Sequence, residues 1–255
     1  MAVQWSVASC KLFENLYRGP GCIELFCARG NNPAKNWKLT GSSSAIRRDY
    51  NKDLRGLVYR LDAGSRMVKM QMPANEKMSL GIEQRFLVFQ VNIPDEKDFS
   101  FELVVTGVDN IQRRLYFSTM RRQLCTSSLF NAQIPVMGIK RDVWSTLFFD
   151  LKSFSEVFTT KGRLTLNTIT LHANCEVRRI FTMEPQAGIS NLDFFLDETA
   201  LMRMIPANYK YPKHISDEVQ ILDLASCKRQ LREQVLILQD KREPDDLRTT
   251  MKNQG

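Results

Sequence analysis

Between residues 22 and 185, short apolar, β-branched and aromatic runs alternate with turn-forming residues, a pattern that predicts strands. The run at 22–29 (CIELFCAR) is the first of them. Residues 30–44 carry Gly, Asn, Pro and Ser and read as a loop with Trp37 as its anchor. Further strands are predicted at 57–61, 67–72, 86–93, 99–106, 111–118, 129–134, 144–150, 164–172 and 177–182. The GVDN at 107–110 is a turn signal, so 111–118 should return antiparallel to the strand before it. In 99–105, Phe99, Phe101, Leu103 and Val105 share one face while Ser100, Glu102 and Val104 share the other, which predicts a half-buried strand. In 144–150, Trp144, Thr146 and Phe148 alternate with Ser145, Leu147 and Phe149. Both faces are then covered, which places this strand inside a two-sheet packing. Residues 151–158 (LKSFSEVF) read as the one short helix. The expected fold is mainly β: an antiparallel β-sandwich or jelly roll over residues 1–185.

The character changes near Met183. Residues 183–190 read as a linker, 192–204 as a short helix, and 206–213, with Pro206 and Pro212, as extended chain. Ser216 offers an N-cap, with Asp217 and Glu218 suited to a first helical turn. Leu224, Leu231 and Leu238 then fall seven apart, which predicts an amphipathic helix over about 216–241. Pro244 ends it and residues 243–255 read as disordered. Residues 186–255 thus form a C-terminal helical extension whose helix is available to a protein partner.

Charge adds an asymmetry. The net charge is +8, yet residues 1–185 hold 26 Lys and Arg against 17 Asp and Glu, an excess of nine, while residues 186–255 hold 10 against 11. A basic globular face attracts acidic partners over a Debye length of about 8 Å. No run of 18 apolar residues predicts a membrane-spanning helix. The first ten residues lack the basic start and unbroken apolar core of a secretory leader, so reduced thiols are expected at Cys10, Cys22, Cys27, Cys125, Cys175 and Cys227. No Cys-x-x-Cys pair occurs and the two histidines, His172 and His214, stand apart, so neither a metal nor a cofactor is expected. Nucleophile elbow, Walker loop, zincin and dinucleotide fingerprints are likewise absent, and an enzyme is not expected.

Paired arginine is the distinctive feature: Arg47/Arg48, Arg113/Arg114, Arg121/Arg122 and Arg178/Arg179, joined by Lys140/Arg141. Neighbouring side chains of a strand point to opposite faces, so at least one member of each strand doublet should reach a surface or an interface. Guanidinium forms bidentate pairs with carboxylate, which suits an acidic protein surface.

These segments resemble the cilia- and flagella-associated protein 20 family. The resemblance is carried by LGI (80–82) with RFLVFQV (85–91), FSFELVVTG (99–107), NIQRRLYFST (110–119), WSTLFFDLKSF (144–154) and HANCEVRRIF (172–181). It spans residues 12–183. IELF (23–26), the loop at 30–41 and IKRDVW (139–144) are most similar to the branch described as containing a protein-20 domain. The resemblance implies a non-enzymatic β-sandwich on ciliary doublet microtubules or centriole walls, in the cytoskeleton of the cilium. It also implies α/β-tubulin and other axonemal or centriolar microtubule-associated proteins as partners. The ten paired basic residues are then the expected tubulin contacts. No membrane partner is expected, and nucleic acid is disfavoured for want of an exposed aromatic stacking platform. The competing expectation is a ligand-binding sandwich, a carbohydrate- or nucleic-acid-binding module, which displays exposed aromatics; the tryptophans are Trp5, Trp37 and Trp144.

Overall fold

The computed structural model describes residues 10–11, 21–63, 67–158, 162–185 and 197–240. The strands are β1 (Cys10–Lys11), β2 (Gly21–Cys27), β3 (Lys38–Thr40), β4 (Ile46–Asn51), β5 (Gly56–Leu61), β6 (Lys69–Met72), β7 (Met78–Ser79), β8 (Phe86–Asn92), β9 (Ser100–Thr106), β10 (Gln112–Ser118), β11 (Cys125–Ser128), β12 (Asn131–Pro135), β13 (Trp144–Asp150), β14 (Thr165–His172), β15 (Cys175–Glu184) and β16 (Glu218–Leu222). The helices are α1 (Leu151–Phe154), continued by a 3-10 turn (Ser155–Phe158), α2 (Glu198–Met204) and α3 (Leu224–Asp240). The mainly β expectation holds.

The strands form two large sheets and a short β1–β7 pair. The first sheet runs β11-β12-β10-β9-β14-β6-β3. The second runs β16-β13-β8-β15-β5-β4, with β2 beside the other half of β15. Antiparallel pairing dominates, but β10–β12 and β13–β16 are parallel, so both large sheets are mixed. Their inner faces enclose a phenylalanine cluster. Phe101 stacks on Phe117 at 4.5 Å between centroids and meets the edges of Phe149 and Phe89 at 4.7 and 5.0 Å. Trp37 anchors its loop as expected: it is buried, and Nε1 donates to the Leu25 carbonyl at 3.0 Å.

The strand covered on both faces has a different cause from the one its pattern suggested. In a plain sandwich each strand has one face inward. Here Leu147 and Phe149 of β13 join the inter-sheet core, while Phe148 joins Phe86, Val88, Phe181 and Met183 in a second cluster capped by Leu201 and Ile205. Trp144 packs with Leu54, Val58 and Tyr211 in a third. Residues 197–215 therefore lie as a third layer on the outer face of the second sheet, and β16 then joins that sheet at its β13 edge.

The tail also departs from its expected helix. Asp217 accepts a hydrogen bond from Thr146 Oγ1 at 2.9 Å, and β16 pairs with β13. The helix begins at Leu224, where Asp223 and Ser226 cap each other: Ser226 N donates to Asp223 Oδ1 at 2.5 Å and Asp223 N donates to Ser226 Oγ at 3.0 Å. Leu224 and Cys227 then enter the main core. The expected linker at 183–190 and disordered end at 243–255 fall largely or wholly outside the described residues.

Candidate interaction surfaces

Arg178 and Arg179 are both buried, against the expectation from alternation. The register of β15 against β8 shifts between Val177 and Arg179, a β-bulge that places two successive side chains on one face. Both guanidiniums lie under the third layer. Arg178 donates from Nη1 to Gln90 Oε1 and to the Tyr209 carbonyl at 3.0 Å, and from Nη2 to the Lys210 carbonyl at 2.9 Å. It lies 4.9 Å from the Tyr211 ring centroid. Arg179 pairs with Glu24, donates to the Asn208 carbonyl at 3.3 Å and lies 4.3 Å from the Tyr209 ring centroid. Burial holds Arg178 below the usual guanidinium range and pushes the Tyr211 hydroxyl well up. This doublet clamps the chain's own C-terminal layer and is not presented at the surface, where the sequence placed at least one of its members.

Arg113 is also buried. It pairs with Asp109, which that hydrogen bond lowers to about 2, and lies 5.3 Å from the Phe158 ring centroid. Arg114, one residue on, points outward, 3.4 Å from Glu102. Arg47 and Arg48 sit on β4 at an edge of the second sheet. Arg47 donates to Asp49 at 2.7 Å and to the Ser44 carbonyl at 2.8 Å, and Arg48 to the Gly30 carbonyl at 3.0 Å. Lys140 is exposed just before β13, towards the opposite edge. Arg141 donates to the Lys97 carbonyl at 2.9 Å. Arg121 and Arg122 are exposed in the loop after β10, with no partner among the described residues. The ten residues therefore do not form one wall. Three are internal, and the others divide between the two sheets.

The outer face of the first sheet is half-buried and polar, with no layer like that on the second sheet among the described residues. Register places Lys38, Gln71, Thr170, Glu102, Tyr116 and Gln133 in one row across six strands. The Tyr116 and His172 rings meet at 6.1 Å, edge to face. Burial raises the Glu102 carboxyl and lowers the His172 imidazole, so both lean towards their neutral forms. At the same end of this sheet as the β9–β10 turn, the β11–β12 hairpin exposes Leu129 and Phe130.

Among the described residues no nucleophile is hydrogen-bonded to a histidine base. Burial pushes Cys22 to about 11 and Cys227 to about 12, and Cys175 further, so these thiols stay protonated and inert. No described group of His, Cys, Asp and Glu has metal-binding geometry. Trp37 and Trp144 are buried, so among the described residues no row of exposed tryptophans is present for a sugar. No described helix is long and apolar enough to cross a membrane. His172, Ala173, Asn174 and Cys175 form the β14–β15 turn, and Asn174 ties loops together. Its Oδ1 accepts from Ala63 N at 2.9 Å and its Nδ2 donates to the Asp98 carbonyl at 3.2 Å.

The class defined is a two-sheet β-sandwich with one outer face sealed by its own chain and the other without such a layer among the described residues. The chain belongs to the CFA20 domain family, which matches residues 12–192. It is similar to cilia- and flagella-associated protein 20 of Chlamydomonas reinhardtii, 26% identical over 172 residues that cover 67% of this chain and 87% of the relative. The Paramecium tetraurelia protein of the same name is 26% identical over 173 residues, covering 67% and 87%. That of Caenorhabditis elegans is 24% identical over 173 residues, covering 67% and 82%. Among solved structures, an agarase, AgWH50C, aligns with 65% of this chain and 25% of its own at 9% identity and a TM-score of 0.28, too low to indicate a shared fold. The family match ends before the residues that form the third layer.

Proposed function

We propose that the chain is a non-enzymatic structural protein of cilia or flagella that docks on tubulin in the wall of axonemal doublets or centrioles. Membership of the CFA20 domain family, whose similar proteins carry cilia- and flagella-associated names, is the observation that carries the reading. Charge supports it: Arg48, Arg114, Arg121, Arg122 and Lys140 stay exposed, and tubulin is an acidic surface.

The test is co-sedimentation of the full chain with microtubules across a salt series. The full chain is needed because residues 197–215 cover the second sheet and β16 completes its edge. Wild type should pellet at low salt and release as salt rises. Charge reversal at Arg114, Arg121 and Arg122 should weaken pelleting about tenfold, on the order of 0.5 kcal/mol for each exposed contact. Reversal at Arg178 and Arg179 should instead unfold the chain. Absence of pelleting at the lowest salt overturns the reading.

A further inference from the structure

Two neighbouring turns at one end of the first sheet carry large apolar side chains. The β11–β12 hairpin turns on Leu129 and Phe130, which are 77% and 52% exposed. The β9–β10 turn exposes Val108 and Ile111, at 66% and 39%. Strand β10 lies between β9 and β12, and Arg114 N donates to the Phe130 carbonyl at 2.7 Å, so the two turns stand side by side. Tight hairpin turns ordinarily take Asn, Asp or Gly, which suit the backbone and prefer water. The Leu-Phe turn is held instead by Ser128. Its Oγ accepts from Phe130 N and from Asn131 Nδ2, each at 3.2 Å, beside a register shift between Thr126 and Ser128. Isolated exposed apolar residues are ordinary on a surface, but four grouped on adjacent turns mark a contact site.

We infer that this tip is a docking wedge: Leu129 and Phe130 enter an apolar pocket with a carboxylate rim on the tubulin partner. The inference rests on the reading above and names its central contact. Arg114 supplies the complementary charge beside the wedge. Its side chain is 58% exposed and only 3.4 Å from one carboxylate, Glu102. The Asp109 carboxylate in the adjacent turn is already taken by buried Arg113. A pocketed apolar pair ringed by charge is the common anatomy of an interface centre. A membrane is disfavoured because surface anchoring draws on a cluster of free cations beside the apolar group, whereas among the described residues Arg114 is ion-paired with Glu102 and Arg163, next to the Gly162 that faces Val108, with Glu184.

The experiment compares the full chain with L129S/F130S and with L129M/F130L in microtubule co-sedimentation, thermal melting and flotation with phosphatidylserine vesicles. The serine variant should bind microtubules about 10- to 100-fold more weakly, the effect of about half-burying two apolar side chains. Its melting temperature should not fall and its salt dependence should stay. The conservative variant should return binding to within about threefold, since it keeps apolar volume. Equal pelleting of wild type and the serine variant overturns the wedge while the tubulin reading stands. A wild type that never pellets overturns both. A lowered melting temperature in the serine variant shows that the two side chains serve the fold and overturns the wedge. Vesicle binding that the serine variant loses overturns it in favour of a lipid surface.

Discussion

Arg178 carries a charge into a site with no carboxylate beside it, and meets it with backbone carbonyls, Gln90 and an aromatic face. Such an ion holds its neighbours as firmly as they hold it, because each carbonyl was desolvated to receive it. Arg178→Ala should therefore cost about 3 kcal/mol in denaturant unfolding, while Arg121→Ala, in a solvated loop, should stay within about 0.5 kcal/mol. Both arginines belong to Arg-Arg doublets, and the sequence sets them apart only by placing Arg178 in a predicted strand and Arg121 outside one. Alternation correctly divides Arg113 from Arg114, one internal and one outward. It fails at Arg178 and Arg179 because the bulge that breaks it depends on the partner strand, which no local pattern encodes. The apolar tip at Leu129 and Phe130 was concealed by a different effect, since both residues fit the strand run predicted at 129–134.

At the level of elements, every long apolar run became a strand close to its predicted place, because burial on a pleated surface dominates their energetics. The shortfalls are polar or short. Strand β4 (IRRDYN) and β11 (CTSS) lie at sheet edges, where one side meets water and the hydrophobic signal fades. Strand β16 was hidden inside a helical reading, although Glu218, Val219, Gln220 and Ile221 alternate with period two and include two β-branched residues. Ser216 resembles an N-cap but is exposed and precedes a strand, whereas Asp223 makes the reciprocal capping bonds. Asp223→Ala should lower stability by about 1 kcal/mol, and Ser216→Ala should leave it unchanged, as measured by urea titration. Equal effects would return the helix start to residue 216.

Taken whole, the molecule is three layers rather than two, and the third comes from residues beyond the family match. A chain cut after residue 196 should present Phe86, Val88, Phe148, Phe181 and Met183 to water. It should bind a hydrophobic dye strongly and aggregate in sedimentation velocity, while the full chain does neither. A soluble, dye-silent fragment would show that the layer is dispensable. The sandwich was legible because its periodicities are internal to each strand. The third layer was not, because the outward apolar residues of β8 and β13 say only that something covers them. The parallel pairing of β13 with β16 carries a consequence for biosynthesis. About 70 residues separate the two partners, so at roughly 5–20 residues per second a ribosome takes about 4–14 s to deliver the cover after β13 is made. During that interval the nascent chain holds an oily, arginine-studded sheet without its lid, a state suited to capture by chaperones.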